Sequence, residues 1–393
     1  MTTHHITGHK TATYNLQSSG DTFVLDRQAS IEFDGNYAVY QQSMVHDNRL
    51  VIKGSVTGGD EYLQAGIYMG GPDSDVRIAS TGVVRGYTGV ELAGVNENLR
   101  NDGRLIGDGY GILAHKNNEI DNFGVIKGTF AITTYDGDVT VINEAGGKII
   151  GSSGAIVMAG TSATHFTVIN HGLMKGGDDV LDGMASISTV INRGVMKGAI
   201  ELGEGDDSFD NRGGSIDHDV VGQGGNDTLI ADKASTHLVE ASGEGTDTVK
   251  STVSYTLSAN VENLVLLGKG DTNGTGNAEA NELDGNKGDN KLVGLEGADI
   301  LDGAGGDDIM TGGADADIFL FAKGGGHDII KDFTHGEDHV DLSGQGVIAD
   351  FDDMIANHTT SSHGDLTIHV GANATLILEN TKAGDLDFND FYF

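Results

Sequence analysis

Between Gly285 and Leu320 the chain repeats every nine residues, four times without a slip. The units read GNKGDNKLV (285–293), GLEGADILD (294–302), GAGGDDIMT (303–311) and GGADADIFL (312–320). Each has glycine first, an amide or acid sixth and an apolar residue eighth. A short fixed period of this kind predicts a parallel β-roll. The eighth residue points inward and stacks on its equivalents. The glycine-rich half bends the chain and turns its carbonyls outward beside the sixth-position side chain. That is a cage of hard oxygen donors, suited to Ca2+ and poorly suited to softer metals. Such a segment has too little core to fold alone, so bound calcium is expected to supply much of its stability.

The same chemistry colours the whole chain. Asp and Glu number 59 against 23 Lys and Arg, a formal charge of −36, and the acids concentrate at repeat positions. That balance argues against nucleic-acid or anionic-membrane partners. Without metal the chain repels itself, and divalent cations relieve the repulsion. Glycine is 62 of 393 residues and proline one, which predicts turn-dense β structure rather than a collagen-like period. There is no cysteine, so neither a disulfide framework nor a thiolate site is available. No Sec-type leader is visible in the first thirty residues, and no apolar run approaches the ~18 residues of a spanning helix. Weak calcium modules of the extracellular type bind at about 10⁻⁴–10⁻³ M, far above cytosolic free calcium, so an extracellular destination is expected.

A longer repeat fills the N-terminal half, roughly apolar-x-Asn-x-Gly-x-apolar-x-Gly. It appears as IASTGVVRG (78–86), LRNDGRLIG (99–107), IDNFGVIKG (120–128), VINEAGGKIIG (141–151), VINHGLMKG (168–176) and VINRGVMKG (190–198), with looser copies at 50–58 and 209–217. The second, third and fourth of these are 21 residues apart, which fits one coil of a parallel β-helix. The recurring Asn101, Asn122, Asn143, Asn170, Asn192 and Asn211 are expected at a bend, their amides hydrogen-bonded along the stack. From Leu202 the two patterns merge. LGEGDDSFD, GQGGNDTLI and SGEGTDTVK place Asp207, Asp227 and Asp247 at intervals of 20, one per coil on the same corner. Segment 252–268 reads as two strands about a turn at Ser258–Asn260, and 365–379 as a hairpin turning at GAN.

The units at 285–320 resemble the GGxGxDxUx nonapeptide of RTX (repeats-in-toxin) proteins. Segment 236–268 resembles a stretch common in secreted RTX proteins of Gram-negative bacteria, and HDIIKDFTHGEDHVDLSG (327–344) resembles the element that follows the roll in RTX proteases and lipases. The resemblance implies export by a type I secretion apparatus using an uncleaved C-terminal signal. The closing Asp390-Phe391-Tyr392-Phe393 has the acid-then-apolar form of that class. It also implies a ligand set. Asp299, Asp308 and Asp317 fall on the family's ligand positions. With loops one turn apart differing by 18 residues, Asp299 and Asp317 clamp one ion and Asn290 partners Asp308 in another. Asn281 and Asn290 stand where the family has Asp, so the first turns bind more weakly. Asp328 closes the last site. The second glycine is replaced by Asn286, Leu295 and Ala304 in three of the four units, a departure from the family's loop.

Enzymatic signatures are few. No HExxH occurs, and HGEDH (335–339) has the wrong spacing for two zinc ligands on one helix face. No GxSxG occurs. Gly203-Glu204-Gly205 precedes acids rather than a phosphate-binding helix start. The one group in the coils able to do acid–base work is His165, His171, Asp178, Asp179 and Asp182, and GGDDVLD (176–182) is better explained as another calcium-type loop.

The expected fold is all-β: a right-handed parallel β-helix continuous with an RTX parallel β-roll and a C-terminal β-rich cap. The expected divisions are 1–45 N-terminal cap, 46–220 coils of about 21 residues, 221–325 calcium-binding roll and 326–393 cap and secretion signal. The expected function is an extracellular protein that binds several Ca2+ ions and is folded by them after secretion. Its β-helix presents a surface to an extracellular polysaccharide or a cell, without catalytic residues. The alternative is a polysaccharide-active lyase or C5-epimerase.

Overall fold

The structure, a computed structural model, describes the whole chain except residues 136, 161–164, 185–186, 322–324, 345 and 372–373. Two compact units divide it, Met1–Gly224 and Gly225–Phe393, and each is a parallel β-solenoid. Among the described residues no helix is long and apolar enough to cross a membrane.

In the N-terminal unit one parallel ladder runs from Thr3–Ile6 through Arg49–Ile52, Asp75–Ile78 and Asn98–Asn101 to Ile187–Asn192 and Ser208–Asp210. It begins within residues 1–45. A second ladder carries Ser30–Glu32, Ser55–Thr57, Val83–Leu92, Arg104–Ala114 and their successors to Val195–Glu201. Alternation along each strand sends every second side chain inward. Register then aligns those side chains into columns. One is Leu50, Val76, Leu99, Ile120, Val141, Val168, Val190 and Phe209, all fully buried. The facing column is Ile31, Val56, Val84, Leu105, Ile126, Ile149, Met174 and Met196. Each such side chain contributes about 1.5–3 kcal/mol of burial.

Two residues along the strand from the first column, aliphatic Leu25, Ile52 and Ile78 give way in register to Asn101 and then to Asn122, Asn143, Asn170 and Asn192. These buried amides form the expected ladder. Each Nδ2 donates to the next Oδ1 at 2.7–2.8 Å, from Asn101 through to Asn211. The steps between rungs are 21, 21, 27, 22 and 19 residues, so coil length varies while the column stays in register.

In the C-terminal unit the inward column is Leu229, Val249, Leu264, Leu283, Leu301, Phe319, Val340 and Phe391. Across the nonapeptides the register step is 18 residues, Glu282 to Ile300 to Ile318, so two repeats make one turn. Leu292, Met310, Ile330 and Leu378 stack in the opposite sheet. The two strands expected in 252–268 are Tyr255–Thr256 and Asn263–Leu266, which join opposite sheets, with Asn260 at φ +61° in the turn. The hairpin arms Asp365–His369 and Thr375–Leu378 pair antiparallel, extended by Thr359–Ser362. Two residues of the GAN turn, 372 and 373, lie outside the described residues. A seven-residue helix, Phe351–Asn357, is capped by the Asp350 side chain accepting from the Asp353 N–H.

Candidate metal centre

Each sixth-position side chain sits immediately before an inward-facing strand. The aspartates are drawn into the turn by a backbone N–H from the neighbouring coil. Asn281 Oδ1 and Asn290 Oδ1 instead accept the Asn277 and Asn286 N–H of their own coil at 2.7 Å, and their amides donate to the Val261 and Thr272 carbonyls. Asn281 N donates to Asp299 Oδ1 at 2.7 Å, Asp299 N to Asp317 Oδ1 at 2.9 Å, and Asp317 N to Asp338 Oδ1 at 3.0 Å. On the opposite side Asn290 N donates to Asp308 Oδ1 at 2.7 Å and Asp308 N to Asp328 Oδ1 at 3.0 Å. The expected pairs Asp299/Asp317 and Asn290/Asp308 are therefore stacked neighbours, one turn apart.

One oxygen of each carboxylate is used in this way. The other, Oδ2 of Asp299, Asp308 and Asp317, is buried and has no hydrogen-bond donor. It faces the first glycine of its own repeat. A Cβ at Gly294 would lie 2.0 Å from Asp299 Oδ2, at Gly303 2.3 Å from Asp308 Oδ2, and at Gly312 2.0 Å from Asp317 Oδ2. The glycine is thus required by the carboxylate, not only by the bend. An anionic oxygen buried without a donor is costly unless a cation meets it. Three such oxygens, each over a glycine, fit the hard-oxygen coordination of Ca2+. Where the second glycine is missing, Leu295 and Ala304 still take left-handed backbone, at φ +98° and +65°, so the loop shape persists at some conformational cost.

Burial is the main cause of raised carboxyl pKa values here, with neighbouring acids adding to it. Asp299 is pushed up to about 7, Asp308 and Asp317 to about 6, and Asp328 to about 8. In the metal-free fold these groups hold protons that the unfolded chain, with ordinary values, releases. The contribution of these four groups to metal-free stability is therefore full below about pH 4 and is lost as pH rises from there through 6–8. Calcium requires the ionised form. The calcium concentration at half-saturation is accordingly expected to fall several-fold between about pH 5.5 and 8, with proton release on binding, measured by calorimetry in buffers of different ionisation enthalpy. A pH-independent midpoint would contradict this.

The remaining candidate residues divide between the units. Asp207 lies in the N-terminal unit, buried, its Oδ1 accepting the Ser188 N–H. Asp227 and Asp247 lie in the C-terminal unit, where Asp227 N donates to Asp247 Oδ1 at 2.8 Å and Asp247 N to Glu262 Oε2 at 2.7 Å. Glu262 and Asp338 were missed from sequence. Both occupy the residue just before an inward strand, Asn263–Leu266 and His339–Asp341, which is the signal that could have found them. Asp338 also accepts the Thr334 N–H on its other oxygen at 2.7 Å, which closes the column.

The acid–base group of the coils does not assemble. His165 begins a strand of one sheet and His171 follows it, whereas Asp178, Asp179 and Asp182 lie on Leu173–Asp182 of the other. GGDDVLD is correspondingly not a loop, since Leu173–Asp182 is paired with strands on both sides. In HGEDH, His335 Nδ1 contacts Asp390 at 2.9 Å while the His339 ring stacks on Tyr392 at 5.1 Å, so the two do not converge.

The family model of the RTX calcium-binding nonapeptide repeat (4 copies) matches residues 274–319. The chain carries RTX repeats. The RTX match covers the glycine-backed carboxylates described above, and Asn281, Asn290, Asp299, Asp308 and Asp317 all fall within it. The chain is also similar to two curated proteins of Rhizobium meliloti (strain 1021). It is 40% identical over 178 residues to the endo-1,3-1,4-beta-glycanase EglC, and 37% identical over 177 residues to the endo-1,3-1,4-beta-glycanase ExsH. In each case the match covers 45% of this chain and 35% of the relative, so the chain spans about a third of their length.

Proposed function

We propose that this RTX protein leaves a Gram-negative cell through a type I system, orders its C-terminal unit on meeting extracellular calcium, and presents its coils to a polysaccharide or cell surface without chemical turnover. The observation that carries the reading is the row of buried carboxylate oxygens without donors, each backed by a glycine. Bound calcium supplies the positive charge these oxygens lack. Inside a cell, where free calcium is far below the range of such modules, the carboxylates of Asp299, Asp308, Asp317 and Asp328 repel one another and keep the segment open for export. Outside, the same side chains hold the ion and lock the backbone N–H groups of the adjacent turn. On this reading 46–220 is the presenting part, 221–325 the calcium-ordered part and 326–393 the cap and export signal.

The glycan-facing part of the proposal rests on an aromatic row on the N-terminal coils. Tyr62, Tyr87, Tyr110 and Phe130 follow one another at 5.6, 6.0 and 6.0 Å between ring centres. Strand Val83–Leu92 carries both Tyr87 and Arg85, and Arg85 lines a cleft of about 560 Å³ with Glu32, Asp34, Asp60 and Asp108. Four acids against one arginine disfavour a polyuronate and suit a neutral glycan. The relatives' glycanase names agree with a polysaccharide setting, and their activity is not carried over. In affinity electrophoresis, neutral β-glucan is expected to retard the protein and alginate is not. Replacing Tyr87 and Tyr110 with alanine should weaken retardation about tenfold, the equivalent of about 1.4 kcal/mol. Release of unsaturated uronate from alginate or pectate, or retardation unaffected by the double substitution, would contradict the reading.

A further inference from the structure

We infer that Asp227, Glu240 and Asp247 form a divalent-cation site separate from the nonapeptide turns, and that it fills first. The inference rests on the calcium reading above for the identity of the ion. One oxygen from each of the three side chains lies within 4.8 Å of the other two, and all three residues are buried. None belongs to the matched repeats at 274–319.

The chain builds this constellation from two stacked turns and the segment between them. Thr228 and Thr248 are register partners, so Asp227 and Asp247, each one residue earlier, lie on the same corner of adjacent coils. Gly225 N donates to Glu244 O at 2.7 Å, and a Cβ at Gly245 would lie only 1.7 Å from Gly225 O, so glycine there lets the two turns close together. Glu240 follows the strand Leu238–Val239 and is pinned through its carbonyl, which accepts from Asn260 Nδ2 at 2.9 Å.

A second observation points to an ion rather than to a mere crowding of acids. Asp247 is 1% exposed, and its Oδ1 accepts the Asp227 N–H. Its Oδ2 is buried with no donor at all, in the same condition as the nonapeptide carboxylates. The charge differs. Asn290 and Asp308 bring one carboxylate to their turn and Asp299 and Asp317 bring two, whereas this group brings three. Affinity of oxygen cages for Ca2+ rises with the number of charged ligands and with rigidity, so the three-carboxylate site takes its ion at the lowest concentration.

The test is calcium binding by the full chain, followed by equilibrium dialysis and calorimetry with Ca2+ alone. E240Q keeps the shape of the side chain and removes one charge. It is expected to lose about one ion per chain from the tightest class while the weaker class is retained, whereas D308N is expected to lose from the weaker class. An E240Q isotherm identical to the unaltered one, or a loss confined to the weaker class, overturns the inference. Absence of calcium binding in the unaltered protein would overturn both this site and the calcium reading beneath it, which separates the two failures. Should E240Q not fold, the unaltered protein decides. At one equivalent of ytterbium(III), anomalous diffraction is expected to place the ion among Asp227, Glu240 and Asp247, and an ion found instead in the nonapeptide turns overturns the proposal.

Discussion

Changing Asp299, Asp308 and Asp317 together to alanine is expected to leave the C-terminal unit without stable structure even in millimolar calcium. Each aspartate does two jobs. Its Oδ1 holds the backbone N–H of Asn281, Asn290 or Asp299 at 2.7–2.9 Å, and its Oδ2 faces a glycine with no donor. Alanine removes the turn-to-turn hydrogen bond and the metal ligand at once. An ion present at a hundredfold above its dissociation constant adds about 2.7 kcal/mol to folding, so loss of two or three such sites removes roughly 5–8 kcal/mol. That is comparable to the whole stability of a typical domain, about 5–15 kcal/mol. The N-terminal unit should be spared, because its aliphatic columns and amide ladder contain no nonapeptide ligand. Circular dichroism is therefore expected to lose part of its β signal, and limited proteolysis to degrade the chain from the C-terminal unit. A triple variant as protease-resistant and heat-resistant as the parent would contradict this.

The second large effect is expected at Asn143→Ala, and it should be indifferent to calcium. The fully buried Asn143 accepts from Asn122 Nδ2 at 2.8 Å and donates to Asn170 Oδ1 at 2.8 Å and to the Leu173 carbonyl at 3.2 Å. Truncation takes the acceptor from one N–H of Asn122, whose Nδ2 still donates to the Lys148 carbonyl at 3.2 Å, and takes one donor from Asn170 Oδ1, which keeps the Gly172 N–H at 3.2 Å. One stranded buried N–H costs about 1–3 kcal/mol, so a loss of roughly 1–3 kcal/mol is expected in urea unfolding of the N-terminal coils. A change below about 1 kcal/mol, or one that calcium restores, would show that the ladder is not a structural spine.

Much of this was legible in the sequence because both solenoids write one residue per turn. The nonapeptide period of nine became a register step of 18, and Leu292, Leu301, Met310 and Phe319 are the inward residues that the eighth position called for. The six asparagines were readable for the same reason. What escaped reading lies where the period breaks. Glu262 and Asp338 extend the acid column without a glycine frame, and only their place before a paired strand identifies them. Asp178–Asp182 looked like a metal loop by composition, but ladders on both sides hold it as a strand, which local sequence cannot convey. The short helix Phe351–Asn357 has too few residues to show a helical period and declares itself only by the Asp350 cap. Leu295 and Ala304 break the glycine rule, and the backbone keeps its left-handed turn there regardless.

The most direct measurement is hydrogen–deuterium exchange of the intact chain at neutral pH, with saturating calcium and after exhaustive chelation. Amides donating to the column, among them those of Asn281, Asn290, Asp299 and Asp308, are expected to be protected only when calcium is present, while those of Asn98–Asn101, Val139–Asn143 and Ile187–Asn192 stay protected in both. Equal protection of the C-terminal amides with and without calcium would contradict the claim that bridged carboxylates order this unit.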